Sequence, residues 1–495
     1  MVLSARRPDA VDILGPGGSV PTTGSPSGRG PGRFTVAVLA FAGMSAAFMQ
    51  TLVVPIQAEL PALLGTSRDG TAWVITATLL VGAVVMPVAG RLGDMYGKRK
   101  VVVGLLAVLT VGSVIAALST SLGVLVVGRG LQGCGIAVIP LGISILRDLL
   151  PPDRLPGSVA LISATLGVGG ALGLPVSAFV VGHADWHTLF WVAACLATLN
   201  IALVLTLVPD SGVRSPARFD AVGAVGLMIG LSGVLLAVSQ GRVWGWLGPA
   251  TLGAGAGGVA VLLLWGWYEL RRSAPMVDLR VVARRPVLLT NLASIAMGFA
   301  LFANHVGLPQ LLEQPRDTGV GLGLSLMSAS LVMMPSGVMM IAMSPVAGRL
   351  TRVVGARVLL IAGALAIAVA YALLLVLDHS VASLLAANLV VGIGIGLGYA
   401  AMPTLIMQAV PASETAAANG INALMRSTGT GSAAAVIGAV LAAWSVDHGG
   451  HPTPTATAFQ VTFAAGLVAA VLSALLAWAV PRRERNFDRD PALPG

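Results

Sequence analysis

Long apolar runs, separated by short polar or Gly/Pro-containing breaks, fill residues 34–480. About 20 consecutive apolar residues are needed for a helix to cross the hydrocarbon core of a bilayer. Fourteen stretches meet that length: 34–56, 71–90, 101–119, 122–146, 157–181, 187–208, 220–240, 248–268, 286–310, 323–347, 357–377, 381–408, 417–444 and 457–480. The pattern predicts an all-α polytopic membrane protein with 14 transmembrane helices. Residues 1–33 break it: they are rich in Pro, Gly and Ser with scattered Arg, and read as a disordered cytoplasmic tail without the apolar core of a signal peptide. Residues 481–495 read as a second cytoplasmic tail.

Composition agrees. The 495 residues are 56% hydrophobic and 10% charged, against roughly 25% charged in soluble domains. A net charge of +9 raises the question of nucleic acid, but the basic residues follow a membrane topology instead. With both termini inside, 24 of the 29 Lys and Arg fall on cytoplasmic segments and only Arg68, Arg242 and Arg316 on outer loops. This positive-inside bias sets the orientation. Arg129 and Arg426 remain within spans. Arg outnumbers Lys 27 to 2 amid abundant Ala, Gly and Val, which points to a GC-rich bacterial genome and hence a bacterial cytoplasmic (inner) membrane. Cys134 and Cys195 both fall in spans, so no disulfide framework is expected.

The sequence repeats itself. Gly90-Arg-Leu-Gly-Asp-Met-Tyr-Gly97 has a counterpart 258 residues later, Gly348-Arg-Leu-Thr-Arg-Val-Val-Gly355, and Pro-Val-Ala precedes each. The copy keeps the outer glycines but places Arg352 where the first has Asp94. Two six-helix halves, 34–208 and 286–480, with a linker of two extra helices at 209–285, are the expected domains. Related halves suit alternating access around a site near mid-membrane.

Six segments carry candidate chemistry. In the loop 90–100, Gly90, Gly93 and Gly97 permit a tight turn, Arg91, Lys98, Arg99 and Lys100 mark it as cytoplasmic, and Asp94 is placed to accept backbone N–H groups at the start of the next helix. In the fourth span, Arg129 must gain a partner, water or a function, because a charge at a helix centre costs at least ~2.5–3.5 kcal/mol. Gln132 shares its face. The fifth span, Gly167-Val-Gly-Gly-Ala-Leu-Gly-Leu-Pro175, allows close helix approach and a backbone break. Trp186-His-Thr-Leu-Phe-Trp191, Glu414-Thr-Ala-Ala-Ala-Asn-Gly420 and Met425-Arg-Ser-Thr-Gly429 complete the set.

Taken together these segments resemble the major facilitator superfamily, specifically its fourteen-helix drug/proton antiporter (multidrug exporter) branch, over nearly the whole ordered chain. The resemblance implies the major facilitator fold. It makes Gly90, Arg91, Asp94, Gly97, Lys98 and Arg99 an intracellular gate whose aspartate meets the facing half near 414–426, with Asp94 and Arg426 as switch residues; a purely topological role is the alternative. Arg129 takes the position of an arginine linked to proton coupling, or else simply bridges helices. Gly169, Gly173 and Pro175 match the antiporter motif, although Leu174 separates the last two where the family has Gly-Pro. The chain departs from the family in its first helix, where aligning on Leu60-Pro61 places Leu52 at the usual aspartate, Val54 at the threonine and Gln57 at the asparagine. Glu59, seven residues on, would nearly regain the same helical face and is a candidate relocated proton site; an interface glutamate in contact with water is the other reading.

His305 beside Asn304 is a candidate to titrate near neutral pH or to hydrogen-bond across helices, and Glu313 lies at the outer end of that span. Gln50, Gln57, Trp73, Gln132, Asn291, Asn304, His305 and Gln310 are the candidate cavity lining. Asp148 with Arg147 reads as a surface pair. His183, Asp185 and His187, and Asp447, His448 and His451, lack a fourth convergent ligand, so no metal is expected. No catalytic triad, paired membrane carboxylates or Gly-x-x-x-x-Gly-Lys-Ser/Thr loop is present, which argues against an enzyme, a cofactor and ATP-driven transport. The expectation is a monomeric secondary transporter in the lipid bilayer, exporting amphipathic, cationic or lipophilic, small-molecule substrates in exchange for protons, with antibiotic resistance as its phenotype. The missing first-helix carboxylate leaves open export of a neutral or anionic natural product or a lipid, or uncoupled facilitation.

Overall fold

The computed structural model describes residues 33–53, 56–57, 59–215, 218–377, 380–448 and 451–481; both expected tails lie outside them apart from Arg33 and Pro481. In chain order the helices are α1 (Arg33–Thr51), α2 (Leu60–Leu63), α3 (Arg68–Tyr96), α4 (Lys98–Ala117), α5 (Leu122–Gly133), α6 (Val138–Leu149), α7 (Leu155–His183), α8 (Thr188–Leu207), α9 (Ala221–Trp244) and α10 (Pro249–Glu269). They continue as α11 (Leu279–Val282), α12 (Arg285–Glu313), α13 (Leu326–Val353), α14 (Ala356–Val376), α15 (Val381–Ala409), α16 (Thr415–Ala443) and α17 (Ala456–Ala479). A 3₁₀ turn, Cys134–Ala137, joins α5 to α6 as one span.

All fourteen expected spans are helical. Twelve are long and apolar enough to cross a membrane, and α7, bent by about 40° between Gly170 and Pro175, makes thirteen. The expected span 417–444 corresponds to α16, whose Asn419, Asn422, Arg426 and run of Ser and Thr dilute its hydropathy. Two expectations shift. The first span ends at Thr51 rather than at 56, giving way to turns. Instead of a loop over 90–100, α3 runs on to Tyr96 and α4 starts at Lys98, so Gly97 alone makes the turn, at φ +107°. Gly355 makes the equivalent turn between α13 and α14 at φ +89°, so the sequence repeat is also a repeat of backbone geometry. An antiparallel hairpin, Ser445–His448 with His451–Pro454, lies between α16 and α17 and has no signal in the hydropathy pattern.

Packing sorts the helices into groups. α1 packs on α7 and α8, α3 on α5, and α4 on α5 and α8. In the second group α12 packs on α16 and α17, α13 on α15, and α14 on α15 and α17. α9 and α10 pair as a hairpin whose first helix lies along both α3 and α16. The two large groups meet where α7 crosses α13 and α3 crosses α16. Glycine makes the tightest approaches: a Cβ on Gly169 would stand 2.4 Å from the Met44 carbonyl oxygen, and one on Gly173 would collide with the Thr51 side chain. The candidate antiporter-motif glycines therefore seat α7 against α1.

Candidate functional site: the gate at the basic end and the buried arginine

Contacts between helix ends gather the basic turns at one end of the molecule. Arg99 donates to the Leu205 carbonyl, the Ser215 N–H to the Asp94 carbonyl at 2.7 Å, and Arg357 reaches the carbonyls of Ala477 and Trp478. Here the halves are closed on each other. The Asp94 carboxylate does not cap α4, the following helix, as its sequence position suggests. It crosses to the other half and accepts the N–H groups of Ala416 at 3.2 Å and Ala417 at 2.8 Å, in the first turn of α16. A carboxylate there meets unsatisfied donors and the positive end of the helix dipole.

Lys98, almost fully buried, lies between two acids, 3.7 Å from Asp94 and 2.6 Å from Asp148. The surface pairing expected for Arg147 and Asp148 is therefore corrected. The Asp148 side chain is buried on Lys98, and Arg147 reaches across the seam to the Val410 carbonyl at 3.0 Å and to the Thr415 hydroxyl. The adjacency of the two residues in sequence hid this, because successive positions on a helix face different neighbours. Along the rest of the seam the contacts are backbone and small side chains. A Cβ on Gly90 would stand 2.4 Å from the Ala416 oxygen, on Gly420 2.6 Å from the Met86 oxygen, and on Gly348 2.4 Å from the Gly157 Cα. Gly90 thus serves approach rather than turning. Asn419 adds a contact to the Ser144 hydroxyl. Arg426 does not join Asp94: its guanidinium lies over the Tyr399 ring at 4.7 Å, inside the second half. Arg91 is half-buried and lines a cavity of about 250 Å³ with Glu414, Asp278 and Asn291.

Arg129 is wholly buried in α5. Its guanidinium donates to the carbonyl of Val74 in α3 at 3.2 Å, of Met49 in α1 at 3.0 Å, and to Gln132 Oε1 at 2.8 Å; Gln132 in turn donates to Ser113 in α4 at 2.8 Å. The Met49 carbonyl is available because α1 ends two residues later. Four helices are tied through one cation. Nη2 is buried without a partner, and none of the ion pairs among the described residues involves Arg129.

Leu52, at the position of the family aspartate, is fully buried against Trp186, Phe190 and their neighbours. Glu59 does not continue the face of α1, as the helical reading requires; it is exposed, eight residues past the helix end, at the start of the short α2. Of the cavity candidates, Asn304 is buried with its amide on Asn388 at 3.0 Å, and Asn291 accepts from Asn422 at 3.0 Å. Gln57 donates to the Thr71 carbonyl. Gln50 and Trp73 are half-buried, and His305, Gln310 and Glu313 are exposed along the outer part of α12. The structure thus commits Gln132, Asn291 and Asn304 to links between helices. Asn388 and Asn422, which complete two of those links, and Tyr399 under Arg426 are missed by sequence reasoning; an intramembrane amide is the one signal that marks the first two. In the loop before α8, His187 uses its ring nitrogens on Asp185 and on the Ser119 carbonyl, and the His187 backbone N–H, followed by its ring, holds the Asp185 carboxyl below the ordinary carboxylate range.

A nearly all-helical membrane bundle of two repeat-related groups, closed at one end by a carboxylate seated on the facing group's helix, defines a secondary-transporter architecture. The family model described as Major Facilitator Superfamily matches residues 39–434 and 322–494, and the chain belongs to that superfamily. It is a multi-pass membrane transporter rather than an enzyme. Among similar proteins, the multidrug resistance protein Stp of Mycobacterium tuberculosis is 27% identical over 409 residues, covering 81% of this chain and 74% of that protein. The multidrug transporter protein MdtP of Bacillus subtilis is 24% identical over 75% of this chain and 69% of its own length. The putative multidrug resistance protein MdtD of Cronobacter sakazakii is 30% identical over 61% of this chain and 63% of its own. Among solved structures, the human organic anion transporter MFSD10 (TETRAN) superposes with a TM-score of 0.65 at 14% identity, over 92% of this chain and 100% of that one. The proton:xylose symporter XylE gives 0.62 at 15%, over 90% and 95%. These two share the fold.

Proposed function

We propose that the chain is a proton-coupled exporter of amphipathic small molecules across the bacterial cytoplasmic membrane. It works as a monomer in the bilayer, with both termini cytoplasmic, two six-helix halves at 34–208 and 286–480, and the α9–α10 hairpin as linker. The observation that carries this reading is the Asp94 carboxylate on the first turn of α16: a gate whose main hold is electrostatic can be released by a change of charge or by separation of the halves. The similarity to a multidrug resistance protein and a multidrug transporter supports the substrate class. Arg129, with one guanidinium nitrogen unpartnered, is the coupling candidate inside the membrane. Glu59, His305 and Glu313 follow it, all exposed toward the opposite end. With Leu52 in the apolar core, recognition of a cationic drug by a first-helix carboxylate has no counterpart here, which favours neutral or anionic amphiphiles.

The test is proton flux in proteoliposomes on adding cationic, neutral and anionic compounds, with Glu59→Gln alongside wild type. Flux evoked by a compound and lost in the variant assigns coupling to Glu59. Normal exchange in Glu59→Gln moves coupling to Arg129 or His305. Labelled substrate crossing without any proton movement refutes antiport and leaves a facilitator.

A further inference from the structure

The linker hairpin carries a pair of acids that the gate does not use. Glu269 ends α10 and is buried; the N–H groups of Met276 and Val277 face its carboxylate without reaching full hydrogen-bond geometry. Asp220 caps α9, accepting the Gly223 N–H at 2.9 Å and the Tyr268 hydroxyl at 3.1 Å through Oδ1, while its buried Oδ2 has no hydrogen bond. The two acids face one point, since a Cβ on Gly223 would stand 2.4 Å from Glu269 Oε1 and 3.0 Å from Asp220 Oδ2. The buried Trp265 indole N–H faces the Glu269 carboxylate, outside full hydrogen-bond geometry.

Of the other charged groups nearby, Arg271, Arg272, Asp278 and Arg280 have engagements of their own, and Arg218 is exposed two residues before Asp220. Arg272 holds the Tyr268 hydroxyl, with its Nε 3.9 Å from Asp220. Arg271 stacks on Trp267, Arg280 donates to the Leu270 carbonyl, and Asp278 caps α11. From the facing elements, Arg91 of α3 and Glu414 before α16 line the neighbouring 250 Å³ cavity, and Arg426 of α16 lies over Tyr399. A second cavity, of about 80 Å³, reaches Glu269 between Arg272, Ser273, Asp278 and Arg280. A water needs only about 10–15 Å³ of such space, so the pair has a path to the basic end.

The same region holds the hairpin to the gate. Met276 and Val277, whose backbone N–H groups face Glu269, pack with Ala224 and Leu227 of α9 against Ile421 and Met425 of α16 and Val88 of α3. Two like charges side by side in a buried site repel and lack hydration; one shared proton removes a charge and lets the two acids bond to each other.

We propose that Asp220 and Glu269 form a proton-binding site of the linker hairpin, reached from the basic end through the small cavity, and that the bound proton keeps the hairpin seated across the α3–α16 seam. Losing the proton loosens residues 274–282 from α16. The linker thereby reads pH at the gate independently of any coupling proton in the bundle.

The test uses the full-length protein in nanodiscs. Infrared spectra taken from about pH 5 to about pH 9 should contain a protonated-carboxyl C=O band that Glu269→Gln removes, above the ordinary range of exposed carboxylates. Amide hydrogen exchange of 274–282 and of the start of α16, corrected for the chemical rate and referenced to the 445–454 hairpin, should quicken severalfold with rising pH in wild type and stay slow in Glu269→Gln. The wild-type exchange profile stands even if the variant does not fold. An unchanged band in Glu269→Gln, or exchange in wild type that follows only the chemical rate, overturns the proposal. Slowing of wild-type exchange by sodium or calcium at fixed pH and ionic strength overturns it in favour of a cation site.

Discussion

Replacing Asp94 with Asn tests the gate most directly. The carboxylate makes two charge-assisted bonds to the α16 terminus, at 3.2 and 2.8 Å, of a kind each contributing about 1.5–3 kcal/mol, against about 0.5–1.5 for a neutral bond. The amide keeps one oxygen, points an N–H at the second donor, and forfeits the favourable charge at the helix terminus. Lys98 retains Asp148 at 2.6 Å, so the first half is not left with an unpaired buried cation. The closed arrangement should lose about 2–3 kcal/mol, a shift of about 30- to 140-fold in its ratio to the open one. Spin labels at the exposed Tyr96 and Ala412 flank the seam, on a background in which Cys134 and Cys195 are replaced. Pulsed dipolar distances in nanodiscs should then show a longer, newly populated separation at the basic end. An Asp94→Asn distribution that overlays wild type would refute the claim that this carboxylate holds the halves together.

Three further outcomes follow from the same geometry. Gly90→Val should open the same label pair with Asp94 intact, because the added Cβ lands 2.4 Å from a backbone oxygen of Ala416 that has no rotamer to escape into; an unshifted distance counts against tight seam packing. Leu52→Asp, which rebuilds the family residue, should not restore cation exchange and should lower thermal stability by at least ~2–3 kcal/mol, since it places a charge in an apolar core; cation-evoked flux in that variant would overturn the reading. Arg129→Met should cut thermal stability in a detergent unfolding assay by about 1–3 kcal/mol for each acceptor left unsatisfied, as carbonyls in α1 and α3 and Gln132 lose their donor. A wild-type melting profile would show those links to be idle.

The bundle was legible because bilayer length and hydropathy constrain every span, and because one repeated octapeptide fixes how the halves correspond. Helix ends were less so. Hydropathy reports the apolar core of a span, so the basic extension of α3 to Tyr96 and the early end of α1 at Thr51 escape it. The gate's acid was visible, but its partner is backbone, which no residue type advertises. Asp148 and Arg147 were misplaced for a related reason: a charged pair at a span end looks solvent-exposed until the facing half covers it. Glu269 was missed because it reads as an interfacial glutamate at the end of a span, and only the return of residues 275–278 over it makes it buried.

The substitution of Arg352 for Asp94 between the two repeats has a mechanical consequence. Gly90 on the α16 start and Gly348 on the α7 start are equivalent contacts, equally close. At the first, Asp94 sits on its helix terminus and Arg147 grips the same stretch of chain; at the second the equivalent position is Arg352, which has no carboxylate to accept N–H groups. The molecule is a door with two matching edges and a latch on one of them. Parting of the α3–α16 edge must first undo that latch, so the width of an opening on this side is tied to a single carboxylate.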